Sequence, residues 1–232
     1  MRLDKFLANA GVGTRSEVKT IIRQGLVMIN GEVVTKNDVD VEPEQDEVLV
    51  DDAPVAYQEF VYVILNKPKG YVSAREDRDD PTALSLILGY EHRDLHIVGR
   101  LDKDTTGLLV ITDDGKLTHK LTSPKHDVPK TYLVDMNAPI DEALVTAFTK
   151  GFALGETDQV LPSTLTILPT KNQAMLTIYE GKFHQVKRMF AKFGYTVTQL
   201  QRVAIGTLTL GDLKVGEFRD LTKEEVIKLK SL

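Results

Sequence analysis

Residues 99–115 read GRLDKDTTGLLVITDDG. The apolar run LHIV (95–98) leads in, GLLVIT (107–112) leads out, and between them stand Arg100, Asp102, Lys103, Asp104, Thr105 and Thr106. Short apolar runs bounded by turn residues are the mark of buried strands. The pattern therefore predicts a strand, a tight polar loop and another strand, with the polar side chains presented at a sheet edge. A plainer reading competes, in which Asp102 and Thr105 only cap a turn. From Phe60 onward further strand-like runs follow: FVYVILN, YVSA, TYLVDM, STLTIL, AMLTIYE, YTVTQLQRV and TLTLGDL. Helix-like stretches fall at 82–88, 115–121, 141–150, 184–193 and 222–230. The strands between 163 and 210 are interrupted by a single helix, so regular βαβ alternation is absent and a doubly wound parallel sheet is disfavoured.

The N-terminal stretch has a different character. Leu3, Phe6, Leu7 and Ala10 lie at the spacing of one helix face. Gly11 and Gly13 end that helix, and Thr14 with Glu17 forms a capping box for the next. Val18, Ile21 and Ile22 make its buried side, Gly25 stops it, and VMINGEVV follows with Asn30-Gly31 at the tip of a hairpin. Arg15, Lys19 and Arg23 recur every four residues and form a basic ridge suited to a phosphate backbone, or a solvated face.

Charge sharpens this division. The 232 residues carry a formal net charge of −5, which argues against a polyanionic partner. Yet the acids Asp38, Asp40, Glu42, Glu44, Asp46, Glu47, Asp51, Asp52 and Glu59 gather with no base between residues 37 and 59. Both flanking segments are net positive and free to meet an anion. Domains are expected at 1–48 and 60–232, with 49–59 as an acidic linker; the acidic stretch 37–59 holds a short strand, EVLVDD, and then a connection around Pro54. There is no cysteine, which removes disulfides, thiolate metal sites and a thiol nucleophile. No apolar run suits a membrane span, and MRLDKFLANAG lacks the core of a signal peptide, so a cytoplasmic protein without a membrane partner is expected.

Three more stretches carry candidate chemistry. EGKFHQVKRMFAKFG (180–194) places Val186, Met189, Phe190 and Phe193 on a buried helical stripe, with Lys187 and Arg188 on other faces. Lys182, Lys187, Arg188, Lys192 and Arg202 face a single acid, Glu180, over this region, which suits an anion or a solvated basic helix. VPKTYLV places Tyr132 in a strand, where half-buried packing is the ordinary role. NKPKGYVS (66–73) reads as a Lys/Pro/Gly turn between strands. The five histidines lack zinc spacing, Asp113-Asp114-Gly115 reads as a turn, and GVGTRS lacks the ending of a phosphate loop.

Residues 1–48, through the stretch RLDKFLANAGVGTRSEVKTIIRQGLVMINGEVV, resemble the αL RNA-binding module of a small-subunit ribosomal protein and of bacterial tyrosyl-tRNA synthetases. GRLDKDTTGLL, KPKGYVS, KTY and EGKFHQVKRM, in their order, resemble the RsuA/RluB family of bacterial ribosomal RNA pseudouridine synthases over nearly the whole chain. The resemblance implies an α+β fold: the small RNA-binding module, then a mixed, largely antiparallel sheet flanked by helices, with an active cleft across it. It implies Asp102 as the catalytic aspartate, Tyr132 as the tyrosine of K-x-Y, and Lys187, or its neighbour Arg188, as the cation beside Asp102. Arg2, Lys5, Arg15, Lys19, Arg23, Arg100, Lys182 and Arg188 become candidate RNA contacts.

The implied activity is isomerisation of one uridine of 16S rRNA (the uridine-516 type), without cofactor or metal, by a monomer acting on a small-subunit assembly intermediate. The short C-terminus favours this over the 23S-directed RluB type. A non-catalytic ribosome assembly factor and a glycosidase using Asp102 and Asp104 are the competing readings. Asp102, Tyr132 and Lys187 occurring together speak for catalysis.

Overall fold

The computed structural model describes residues 1–123 and 126–232. The chain divides into two compact units, Met1–Val61 with Leu88–Leu95, and Tyr62–Ile87 with His96–Leu232.

In the first unit, α1 (Leu3–Asn9) and α2 (Arg15–Arg23) precede β1 (Val27–Ile29), β2 (Glu32–Val34), β3 (Val48–Val50) and β4 (Ala53–Pro54). The Thr14–Glu17 capping box is present in both directions. It satisfies N–H groups that a helix start otherwise leaves without partners. Asn30 and Gly31 both have positive φ, 52° and 84°, as the two-residue hairpin turn requires. Leu3, Phe6, Leu7, Val18, Ile22, Val27, Val41 and Val48 form one core. The strands order as β2-β1-β3-β4. Residues 49–59 fall within this unit; just before them Val48 is buried, and β3 pairs with β1. Asp51 and Asp52, at φ 50° and 62°, make the β3–β4 turn. The segment 88–95 also belongs here. Arg93 donates to the carbonyl oxygens of Asn9 (2.7 Å), Gln58 (3.1 Å) and Glu59 (2.9 Å).

The second unit begins with β5 (Tyr62–Lys67), a 3-10 turn (Ala83–Leu86), β6 (His96–Val98), β7 (Thr106–Thr112), α3 (Gly115–Thr122) and β8 (Lys130–Met136). Next come α4 (Ala143–Lys150), β9 (Phe152–Ala153), β10 (Gln159–Val160), β11 (Thr164–Ile167), β12 (Gln173–Ile178) and α5 (Gln185–Ala191). It closes with β13 (Val197–Ile205), β14 (Leu208–Thr209), β15 (Phe218–Asp220) and α6 (Lys223–Ser231). Nine strands form the main sheet in the order β11-β12-β8-β13-β7-β5-β15, with β14 on β13 and β6 on β7. β5 is buried throughout and β7 from Gly107 on, as expected of strands covered on both faces.

Neighbours in this sheet run antiparallel except β13 and β7, whose parallel pairing joins Gln201 to Thr106 and Arg202 to Gly107. Gly107 has φ 105°, and a Cβ there would stand 2.2 Å from the Arg202 carbonyl oxygen. Only glycine lets the strands meet at this point. YVSA forms no strand: Val72 makes an isolated bridge to Thr82. Among the described residues no helix is long and apolar enough to cross a membrane.

Candidate active site

The loop between β6 and β7 is held by its own backbone at alternate residues. Leu101 N–H donates to Ser73 Oγ (3.0 Å), which donates back to the Leu101 carbonyl oxygen (2.8 Å). Gly70 N–H donates to the carbonyl oxygen of Lys103 (2.8 Å), and Lys67 Nζ to that of Thr105 (2.8 Å). NKPKGYVS is thus more than a turn; it clamps residues 101, 103 and 105. The alternation leaves Asp102 and Asp104 to reach the same partner, Lys187 of α5. Lys187 Nζ lies 3.2 Å from Asp102 Oδ2 and 2.5 Å from Asp104 Oδ1. His184 Nε2 stands 3.5 Å from the other oxygen, Asp102 Oδ1. His184 caps α5 in a left-handed conformation, φ 47°, a strained state that tends to mark working sites.

The electrostatics follow from these contacts. Burial alone would lower the Lys187 pKa, but hydrogen bonds to Asp104 and Asp102 outweigh it, and the net shift is upward. The Lys187 bond in turn holds Asp104 below the usual carboxylate range. Lys67, fully buried, is pushed down to about 8 by desolvation, with Asp104 and Asp102 opposing the fall. A cation between two carboxylates keeps a carboxylate ionised in a cleft where burial would favour the neutral acid.

Asp102 opens onto a cavity of about 180 Å³. Its lining includes Tyr132 and Lys130 of β8, Leu200 and Arg202 of β13, Ile178 of β12 and Thr105. The sheet register explains the gathering: Tyr132 is paired with Arg202 on one side and Leu176 on the other, and Ile178 with Lys130. A carboxylate of this kind, lining one small cleft with an aromatic ring, can attack an electrophilic carbon or stabilise a positive one. Among the described residues no group of three His, Asp or Glu side chains is placed to hold a metal ion.

The model of the RNA pseudouridylate synthase family matches residues 61–192, and that of the S4 domain matches residues 1–48. The chain belongs to the RNA pseudouridylate synthase family. The synthase is 44% identical over 232 residues to ribosomal small subunit pseudouridine synthase A of Haemophilus influenzae, covering 99% of each chain. It is 44% identical to the Escherichia coli protein of the same name, covering 97% of this chain and 98% of that one. A crystal structure of a pseudouridylate synthase superposes with a TM-score of 0.70 at 43% identity, covering 99% of both chains.

Of the residues singled out from the sequence, Asp102, Tyr132, Lys187, Arg100 and Lys182 all line the cavity of the synthase. Arg188 does not pair with Asp102. Its Nη2 lies 2.5 Å from Asp158, which Lys182 also holds at 2.9 Å. Arg15 and Arg23 are exposed on α2 and Lys19 is partly so. Lys5 is exposed on α1, whereas Arg2 makes a two-bond pair with Asp4, at 3.1 and 2.9 Å. Lys67, Lys130 and His184 were not among the residues singled out, and Thr105 was read only as a loop residue or turn cap. The alternation of the loop and the K-x-Y spacing, which puts Lys130 on the face of Tyr132, were the available signals.

Proposed function

We propose that this synthase converts one uridine of 16S rRNA to pseudouridine, with Asp102 as the carboxylate that forms the transient bond to the nucleotide. The observation that carries the reading is the Asp102–Lys187 pair lining, together with Tyr132, one cavity of about 180 Å³. The small-subunit assignment rests on relatives named ribosomal small subunit pseudouridine synthase A that match almost end to end. The reaction breaks the bond from C1′ to N1, turns the base and joins C1′ to C5. The C5 proton leaves and N1 gains one, so the overall change is an isomerisation. A stacked uridine must first be turned out of the RNA, at a cost of a few kcal/mol. In this reading Tyr132 stacks on the base, Lys187 holds the Asp102 carboxylate in place, and Arg100 contacts RNA at the vacated position. Arg15, Lys19 and Arg23 track a phosphate backbone, and Lys182 and Arg188 add contacts beside the cavity. The monomeric protein meets its RNA in the cytoplasm, in a small-subunit assembly intermediate.

Pseudouridine mapping of ribosomal RNA from cells with and without the gene tests this. One 16S position should lose its signal and regain it with the wild-type gene but not with Asp102→Asn. Loss at a 23S position instead would overturn the subunit assignment.

A further inference from the structure

Two cations that line the cavity have no counter-ion among the described residues. Arg202 is 2% exposed; its Nε donates to the Leu108 carbonyl oxygen (2.8 Å) and its Nη2 to that of Gly99 (3.5 Å). Lys130 Nζ donates to the Val128 carbonyl oxygen (2.9 Å). Among the described residues these carbonyls are their hydrogen-bond partners, and neither side chain has a carboxylate in salt-bridge range. Burial, with Arg202 nearby, holds the Lys130 pKa below its ordinary value. Beside them Thr105 is 2% exposed, and its Oγ1 is buried with no hydrogen-bond partner. All three residues line the cavity. A buried guanidinium, a partly buried ammonium and an unmet hydroxyl each carry a desolvation cost that a complementary ligand would offset.

The ligand that offsets them is electron-rich at two carbonyl oxygens and carries an N–H between them. Uracil has this pattern, O2 and O4 flanking N3–H, whereas cytosine presents an amino group in place of O4. We infer that Lys130 and Arg202 bind the two uracil carbonyls and hold the negative charge that develops on the base, while Thr105 accepts the N3–H. The inference rests on the uridine isomerisation proposed above, and it holds for either path open to Asp102. If the carboxylate takes C1′, the electron pair of the broken C1′–N1 bond stays on uracil, spread over N1, O2 and O4. If it adds to C6, the ring electrons move through C5 and C4 onto O4. In either path the C1′–N1 bond breaks and C5 bonds to C1′; the bond to Asp102, at C1′ or at C6, then breaks and returns its electron pair to the carboxylate, the C5 proton leaves, N1 is protonated and the base is neutral again.

The turn itself fits this cradle. Rotation about the axis through N3 and C6 exchanges N1 with C5 and O2 with O4, and leaves N3 in place. Two cationic donors and one hydroxyl then meet the turned base with the same groups as before, so the cavity need not rearrange in mid-reaction.

Single-turnover rates on an RNA carrying the target uridine test the cradle. Lys130→Met is expected to slow the reaction at saturating RNA by about 100-fold, a typical loss for one charge-stabilising donor, with RNA affinity changed by less than about threefold. Lys130→Arg should restore most of the rate. Replacing the target by 2-thiouridine or 4-thiouridine weakens one acceptor. The thio penalty at the carbonyl that Lys130 meets should largely vanish in Lys130→Met, because both changes remove the same contact, while the penalty at the other carbonyl persists. A structural role for Lys130 would leave the penalties multiplying, and that outcome overturns the inference. Thr105→Val gives an independent check should Lys130→Met fold poorly. Removing an unmet buried hydroxyl should leave the melting temperature equal or higher and yet slow the reaction by about tenfold. An unchanged rate in that variant overturns the N3–H contact. Wild type that forms no pseudouridine in any ribosomal RNA overturns the function and the cradle together, whereas active wild type with equally active Lys130→Met overturns the cradle alone.

Discussion

Asp102, Asp104 and Lys187 form a three-group charge set in which one ammonium serves two carboxylates. Asp102→Asn keeps the shape and removes the proposed nucleophile, so pseudouridine formation should vanish while RNA affinity falls less than about tenfold. Turnover above that of a mock preparation would rule out the role given to Asp102. Lys187→Met leaves both carboxylates without their cation and should reduce single-turnover rate by about 100-fold or more. Arg188→Met should cost far less, because its guanidinium is engaged with Asp158. Equal losses in the two variants would show that the pairing does not govern the chemistry. At this scale the chain was readable where a motif carried the residue: Asp102 and Tyr132 stood out, and Lys187 was narrowed to two neighbours. Lys130, Arg202 and Thr105 were not readable as a set. Their meeting depends on the register of β8 against β13 and on the clamp by residues 67–73, which are contacts between distant parts of the chain.

Among the elements, α2 and α6 each start with a two-way capping box, Thr14 with Glu17 and Thr222 with Glu225. Glu225 has a second task. Its carboxylate takes two hydrogen bonds of 2.8 Å from Arg219 of β15, and that guanidinium, first among the causes, draws its pKa from 4.5 to about 2. The folded state thus favours the charged form, so this contribution to stability is complete above the ordinary pKa and is lost as pH falls toward about 2. Denaturation midpoints measured across that interval should fall more steeply for wild type than for Glu225→Gln; parallel curves would refute the linkage. For α2, replacing Arg15, Lys19 and Arg23 with Gln should flatten the salt dependence of RNA binding by about two to three units of log–log slope. An unaltered slope would mean the ridge meets only solvent. Helices of this sort were legible because caps and apolar stripes are local. The strands β9, β10 and β15, two or three residues each, were not, since so short a run becomes a strand only through its partner.

For the whole molecule, the absence of βαβ alternation correctly disfavoured a parallel sheet, and the α+β architecture implied by the family resemblance is the one found. The acidic stretch was harder to place. Its composition suggested a connection, but the alternating valines of β3 give it a sheet edge to join. The feature with the widest reach is the parallel join of β7 to β13, which rests on two residue pairs and one obligatory glycine. Gly107→Ala should lower stability by more than about 4 kcal/mol, the range reserved for severe backbone conflicts, and a melting curve will register it. On one side of the join lie β5, β6, β7 and β15; on the other lie β8, β11, β12, β13 and β14, each group bound by longer antiparallel ladders. A sheet built this way has a line of weak cooperativity through its middle, and Thr105, Leu200 and Arg202 sit along it. Backbone amides around Gly107 and Gln201 should exchange with heavy water through a lower-energy opening than those of Ile64 or Val134, deep within the two groups. In mild denaturant the enzyme would then fall silent while most of its backbone is still protected.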